Sequence, residues 1–444
     1  MISISSNSMK QTLHQYLMQY RSVFKKRSFD IFYWLIMGIL CTEEVRSIQF
    51  VYDSFIKKHT DKVLNSIYYF LSYSKFPIEA LTTITVSIAL SLIPEKLRQN
   101  TLFITIDDTL QAKYGAKFDC YVKHFDHTKK NGTKYLNGHC FVSVVLNIPL
   151  YYQDKAKYLS IPIGYRLYSK EQNKLEMASQ IIKYIMPQLE MFQVILLCDS
   201  WYSKGAILDT VKEFDNLEIV AAVRHDTAMY DLPPASTGGK GRPRKKGRKL
   251  NAREFSYSKI GEYYVAEKKV MANLFEKPIY VTVTTTDIKP FSSIRVFISS
   301  INPDEIKTIN TALNTKGALN DQNEDECTSK TLTTYRMRWN IEVMFYQHKF
   351  FWSFGNYMVR NKAAIERYVN LLFVAYTFAC LLPFMDKRYE KYQFKSPQLI
   401  KRAVGVQITK ELIFDSFVLS FESAKIYSTI KESVQGFLNK DWVA

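Results

Sequence analysis

The sequence lacks the marks of several protein classes. Its six cysteines (Cys41, Cys120, Cys140, Cys198, Cys327 and Cys380) are scattered and form no C-x-x-C pair. That excludes a disulfide framework and points to a reducing compartment. The first residues carry no basic-then-apolar leader, so no signal peptide is expected. Neither long apolar run makes a good membrane span: residues 29–41 are too few and include Asp30, and residues 368–384 hold Asn370 and Pro383. Both are read as buried helices, and no membrane partner is expected. Glycine and proline are few, at 15 and 13 in 444 residues, which fits a globular chain. There is no internal repeat. No G-x-S-x-G surrounds Ser200, which argues against acyl transfer.

What is present bounds the answer further. With 47% hydrophobic residues over 444 positions, a sizeable core and two or three domains are expected. The net charge of +18 calls for a polyanionic partner, nucleic acid ahead of an acidic membrane surface.

Taken in order, residues 1–97 read as helical with basic ends, a common form for a DNA-reading module, although no helix-turn-helix pattern is clear. Breaks fall at Pro77 and Pro94. The texture then changes to short runs of β-branched residues. Strands are expected at 101–106, 142–150, 159–167, 193–198 and 218–223, with helices at 175–189 and 204–214. That order is an α/β mixed sheet with flanking helices. A β-rich insertion at 226–293 carries a basic loop with seven cations in residues 240–249. The core resumes at 294–385 with a further strand at 294–300, after which 302–330 is polar, acidic at 321–326, and read as a mobile connection. Residues 386–444 are helical.

Three stretches carry the chemistry. Asp107 and Asp108 follow the first core strand, and Asp199 follows the fourth. Carboxylates at strand ends suit a crevice site in an open α/β sheet, although Asp at a strand end also serves as a turn or cap residue. Hard oxygen donors favour Mg²⁺ or Mn²⁺. The third stretch, residues 335–349, holds no Pro or Gly and is expected to form one helix. At 100° per residue, Tyr335, Arg338, Glu342 and Lys349 share a stripe of about 60°. Trp339, Val343 and Phe350 form an apolar flank that is expected to seat this helix on the core. Two further clusters are weaker. Cys120, His124, His127, His139 and Cys140 match no standard zinc spacing. Lys240, Gly241, Arg242, Pro243 and Arg244 resemble an AT-hook core, a short extended segment for the A·T minor groove.

The spacing Tyr335-x2-Arg338-x3-Glu342-x6-Lys349 resembles the signature of one group of insertion-sequence DDE transposases with a ribonuclease-H-like core. Ile106 to Thr109 and Cys198 to Tyr202 are similar to that family's first- and second-Asp motifs, and the resemblance spans about residues 100–385. It implies a ribonuclease-H-like fold and a metal-binding catalytic triad of Asp108, Asp199 and Glu342. Asp108 is preferred to its rival Asp107 because the family's Asp precedes the Thr. The resemblance also implies Mg²⁺ or Mn²⁺ as cofactor. Tyr335, Arg338 and Lys349 would hold DNA phosphates, joined by Arg242, Arg244, Lys245, Lys246 and Arg248 of the basic loop. The expected function is cut-and-paste transposition: cleavage at transposon ends and strand transfer into target DNA. The expected partners are double-stranded DNA with terminal inverted repeats and a second copy of the chain, in the cytoplasm on the nucleoid. The alternatives are a nuclease or resolvase that cuts without joining, and a non-catalytic transposase-derived DNA-binding protein. The family stabilises a flipped base with a Trp in the insertion. Here residues 203–337 contain none, which leaves Tyr263, Tyr264 or Phe275 to stack.

Overall fold

The computed structural model describes residues 8–115, 117–126, 132, 134–235, 244–308, 329–421 and 427–438. The chain begins with helices α1 (Met9–Met18) and α2 (Lys26–Cys41). The short turns α3 (Ile48–Val51) and α4 (Lys57–His59) follow, then α5 (Leu64–Tyr73) and α6 (Ile78–Ser91). The prolines do what proline does at a helix boundary. Pro77 caps the start of α6, and Pro94 lies just past its end.

The sheet opens with β1 (Leu102–Ala112), β2 (Val122–Phe125), β3 (Tyr135–Tyr152) and β4 (Lys155–Leu167). Next come α7 (Lys174–Ile185), β5 (Val194–Cys198), α8 (Ala206–Glu213) and β6 (Leu217–Val223). The insertion contributes β7 (Met229–Tyr230), β8 (Ser258–Ile260), β9 (Tyr263–Ala272) and β10 (Ile279–Thr285), and β11 (Arg295–Ser299) returns to the core. All join one sheet of eleven strands, in the order β2-β3-β1-β5-β6-β11-β10-β9-β7, with β4 paired to β3 and β8 to β9. The insertion therefore extends the central sheet through β11. Only β1, β5 and β6 run parallel, as two crossover helices require; the other pairs are antiparallel.

Helices α9 (Lys330–Arg336), α10 (Trp339–Phe351), α11 (Lys362–Met385), α12 (Pro397–Phe421) and α13 (Tyr427–Leu438) complete the chain. Helices α7 and α8 pack on one face of the parallel strands, with Ile104, Ile106, Leu196 and Cys198. Helix α9 lies over the other face, where Phe103, Ile195, Leu197 and Val220 meet Met337 and Tyr335. The result is the ribonuclease-H-like α/β arrangement: a mixed sheet flanked by helices, with helical regions before and after it. The N-terminal helices pack onto the C-terminal ones, α2 against α11 and α12, and α5 against α11.

Among the described residues, α11 is the one helix long and apolar enough to cross a membrane, and 94% of its most apolar stretch is buried within the protein. One of its buried polar residues, Asn370, ties it to the sheet. Asn370 Oδ1 accepts from the Tyr165 amide at 3.1 Å, and its Nδ2 donates to the Tyr165 carbonyl at 2.9 Å. Asn370 thus stands in for a strand partner along β4, next to the irregularity that β3–β4 pairing shows at Val144/Val145. Asn370→Leu fills the same space and orphans both buried groups. We expect a loss of about 2–5 kcal/mol in urea unfolding; an unmoved midpoint would show that Asn370 holds nothing in place.

Candidate active site

Strand β1 does not stop at Ile106. It runs through Asp107 and Asp108 to Ala112, because β3 pairs with it continuously from Asn147 to Gly138. In a continuous strand adjacent side chains point to opposite faces, so the two aspartates part company. Asp107 follows Phe103 and Thr105 onto the α9 face, and Asp108 follows Ile104 and Ile106 onto the α7 face.

Strands β1 and β5 are parallel neighbours, with Phe103 opposite Ile195 and Thr105 opposite Leu197. The ladder ends there, and the same offset carried two residues further would set Asp107 against Asp199. The electrostatics agree with the register. The Asp107 carboxyl is pushed up to about 7, first by burial and next by the neighbouring Asp199 carboxylate. Asp199 also organises its own loop: its Oδ1 accepts from the amides of Trp201 at 2.9 Å and Tyr202 at 3.1 Å.

The expected single helix over 335–349 is two helices. Helix α9 ends at Arg336 and α10 starts at Trp339. Between them the bonds tighten to three-residue spacing, Arg338 N to Tyr335 O at 2.9 Å and Ile341 N to Arg338 O at 3.3 Å. Arg338 lies at this break, against two of the carboxylates. One guanidinium nitrogen meets Asp107 Oδ2 at 3.1 Å and the other meets Glu342 Oε1 at 2.5 Å. The fork of one arginine therefore spans two of the three candidate carboxylates. Burial works against the Arg338 charge, but Tyr335, Glu342 and Asp107 hold its pKa above the ordinary value. Tyr335 packs on Phe297, with its phenol pushed up to about 12 by burial. The Arg338 guanidinium lies 5.8 Å from the centre of the Tyr335 ring. Lys349 donates to the Leu110 carbonyl of β1 at 2.7 Å.

One expectation is corrected here. The flank of Trp339, Val343 and Phe350 does not seat the helix: these residues are 56%, 43% and 69% exposed, and Ile341, Met344, Phe345 and His348 are buried instead. Both apolar faces belong to α10 itself, and the one through Ile341, Met344, Phe345 and His348, on the far side of the helix from that flank, is the one turned to the core. The two candidates for the first carboxylate lie in different surroundings, Asp107 beside Arg338 and Asp108 on the opposite face of the sheet. Asp108 Oδ2 accepts from Lys174 Nζ at 2.8 Å and from Cys140 Sγ at 3.0 Å, and its Oδ1 accepts from the Tyr202 hydroxyl at 3.0 Å. It is already engaged on the far side of the sheet. Sequence reasoning passed over Lys174 and Tyr202. What favours Asp107 is the strand register, in which positions 107 and 199 keep the offset that pairs Phe103 with Ile195, and that register is not written in either strand alone.

The donor set of Asp107, Asp199 and Glu342 is all carboxylate oxygen, which suits a hard divalent cation. The raised Asp107 carboxyl beside Asp199 marks a place where positive charge is wanted. Among the described residues no three acidic, imidazole or thiol groups converge closely enough to share one ion; Arg338 lies between Asp107 and Glu342 and supplies the charge.

Elsewhere, His139 is held by Tyr357 Oη at 2.6 Å and by the Asp119 carbonyl at 2.9 Å, which makes it a structural residue. His127 lies outside the described residues, as do residues 240–243, including Arg242 of the AT-hook-like core. Further along the basic loop, Arg244 and Lys245 are exposed. Lys246 bonds Asn273, and Arg248 pairs with Glu254 at 3.4 Å.

Residues 34–268 match the family model described as DDE superfamily endonuclease. The match covers more than half of the chain and includes both strands that carry Asp107 and Asp199. No curated protein matches the chain. The chain belongs to the DDE superfamily endonucleases.

Proposed function

We infer from this membership that the protein is a metal-dependent DNA transposase that cleaves at transposon ends and joins the freed ends to target DNA. The observation that supports it best is that Arg338 bridges Asp107, whose carboxyl feels the neighbouring Asp199, to Glu342 on one face of the sheet. Asp107, Asp199 and Glu342 would hold Mg²⁺ or Mn²⁺. Bound there, the cation would lower the cost of the negative charge that builds on the phosphate and the leaving oxygen.

The chain's own residues supply position and charge. Arg338, released from the carboxylates, grips a DNA phosphate with its fork, and Lys349 adds a point charge from the other end of α10. Tyr335 stiffens the hinge on which Arg338 sits. In the first step a water oxygen bonds to phosphorus and the phosphorus–O3′ bond breaks, freeing a 3′-hydroxyl. In the second that hydroxyl attacks a phosphodiester of the other strand or of the target: its oxygen bonds to phosphorus, and that phosphodiester's own phosphorus–O3′ bond breaks, its O3′ leaving as a hydroxyl. Neither step needs a covalent enzyme intermediate. The +18 charge and the basic loop (Arg244, Lys245, Lys246 and Arg248, with Arg242) hold the duplex in a salt-dependent manner. Two copies of the chain pair the two ends.

The test uses a supercoiled plasmid carrying the DNA that flanks the gene on both sides. With Mg²⁺ or Mn²⁺ we expect nicked, linear and joined products, with none in EDTA. Cleavage without any joined product would rule out transposition and leave an endonuclease.

A further inference from the structure

The first core strand carries two adjacent carboxylates, and only one of them faces Asp199. The other, Asp108, is tied to three groups from three elements: Lys174 at the start of α7, Cys140 on β3 and Tyr202 in the loop after β5. That loop is the one that carries Asp199. It is folded tightly, with the Tyr202 and Ser203 amides both reaching the Asp199 carbonyl at 3.2 Å. The Tyr202 side chain is 1% exposed, so its hydroxyl reaches back beneath the sheet edge and ends on Asp108 at 3.0 Å. Lys174 serves the same loop from outside. Its ammonium bonds Asp108 at 2.8 Å and lies 5.4 Å from the Trp201 ring.

We propose that Asp108 is a positioning residue: through Tyr202 and Lys174 it fixes the loop that presents Asp199 to Asp107. The adjacent aspartates of β1 then divide the work between the two faces of the sheet. Asp107 meets the substrate side, and Asp108 locks the second carboxylate in register with it. Lys174 completes the arrangement. Its positive charge offsets that of Asp108, so the doublet adds little repulsion to the Asp107–Asp199 pair. This inference rests on the functional reading above for its catalytic consequence, but the anchoring itself is a property of the fold.

The experiment compares Tyr202→Phe, Asp108→Asn, Asp108→Leu and Asp107→Asn in the full chain. It has two readouts: amide hydrogen exchange over residues 199–203, and divalent-dependent nicking of supercoiled plasmid. Tyr202→Phe removes one hydroxyl and Asp108→Leu removes its acceptor. Each is expected to speed exchange of the loop amides about tenfold and to lower the turnover of nicking about tenfold at unchanged KM for DNA, the range seen for groups that orient metal-ligating side chains. Because Asp108→Leu already cuts the link that Tyr202→Phe removes, the Asp108→Leu, Tyr202→Phe double variant is expected to match Asp108→Leu alone. Asp108→Asn keeps an oxygen to accept from Tyr202 and is expected to hold loop exchange within twofold of wild type, with a smaller fall in nicking. Asp107→Asn is expected to abolish nicking and leave loop exchange alone.

Nicking lost as completely in Asp108→Asn as in Asp107→Asn would overturn the proposal, since Asp108 would then belong to the catalytic set. Unchanged loop exchange in Tyr202→Phe, a variant too mild to threaten folding, would overturn it as well. A wild-type protein that nicks nothing would defeat the nuclease reading alone, and the exchange rates would still decide whether Asp108 anchors the loop.

Discussion

Asp107→Asn and Asp199→Asn are each expected to lower divalent-dependent cleavage by about a thousandfold or more, with DNA binding retained. Each substitution keeps the shape of the side chain and removes one anionic oxygen donor from the pair that faces across β1 and β5. A second, independent signature separates this from simple damage. The Asp107 carboxyl is pushed up to about 7 by burial and by Asp199, whereas an unfolded aspartate titrates near 4. Between those two values the folded protein holds a proton that the unfolded chain has lost, so metal-free stability falls as pH rises through this window and then levels off. Asn has no such proton. In EDTA, Asp107→Asn is therefore expected to melt higher than wild type at pH 8 and to lose that advantage at pH 4. A variant that is both inactive and more stable would show that wild type holds a destabilising charge for use. A variant that is less stable at pH 8 would count against the pairing of Asp107 with Asp199.

The fold was legible where periodicity had one solution. The strand at 194–198 is apolar throughout because it is buried on both faces, and its end at Cys198 is where Asp199 begins to turn. The breaks at Pro77 and Pro94 follow from the missing amide and fixed φ of proline. The first strand was harder. Its apolar run stops at Ile106, but a strand ends where pairing ends, and β3 keeps pairing to Ala112. Local sequence does not report a partner strand some thirty residues away. The same limit explains the choice between Asp107 and Asp108, since it turns on which face of the sheet α9 covers. The hinge at Met337 and Arg338 was illegible for a different reason. Both residues are good helix formers with helical dihedrals, and the break goes with tertiary packing: Met337 is buried against Phe103 and Leu197 while Ile341 and Met344 go to the main core. The four-residue spacing of Tyr335, Arg338, Glu342 and Lys349 survives in the structure, although not as the single stripe that a straight helix would give.

Arg338 carries the other large expected effect, because it binds the same carboxylates that a divalent cation would take. Its side chain is 14% exposed and that of Asp107 is 20%, so the ion pair is shielded from water on most sides. Arg338→Met keeps the apolar stem and removes the charge. Without metal, Asp107 and Glu342 lose their only shared partner among the described residues, and the variant is expected to melt below wild type. Added Mg²⁺ or Mn²⁺ then has no guanidinium to displace, so the variant is expected to bind the ion more tightly and gain more from it. At an ion concentration about a hundredfold above Kd, that gain approaches roughly 2.7 kcal/mol, and the difference between variant and wild type is measurable by thermal shift with a metal titration. Cleavage should move the opposite way, falling about a hundredfold or more, because the fork that grips the phosphate is gone. Arg338→Lys restores one point charge but not the two-pronged span from Asp107 to Glu342, and it is expected to recover metal-free stability better than activity. Equal metal-induced shifts in wild type and Arg338→Met would show that the ion sits away from Asp107 and Glu342, and would remove Glu342 from the catalytic set.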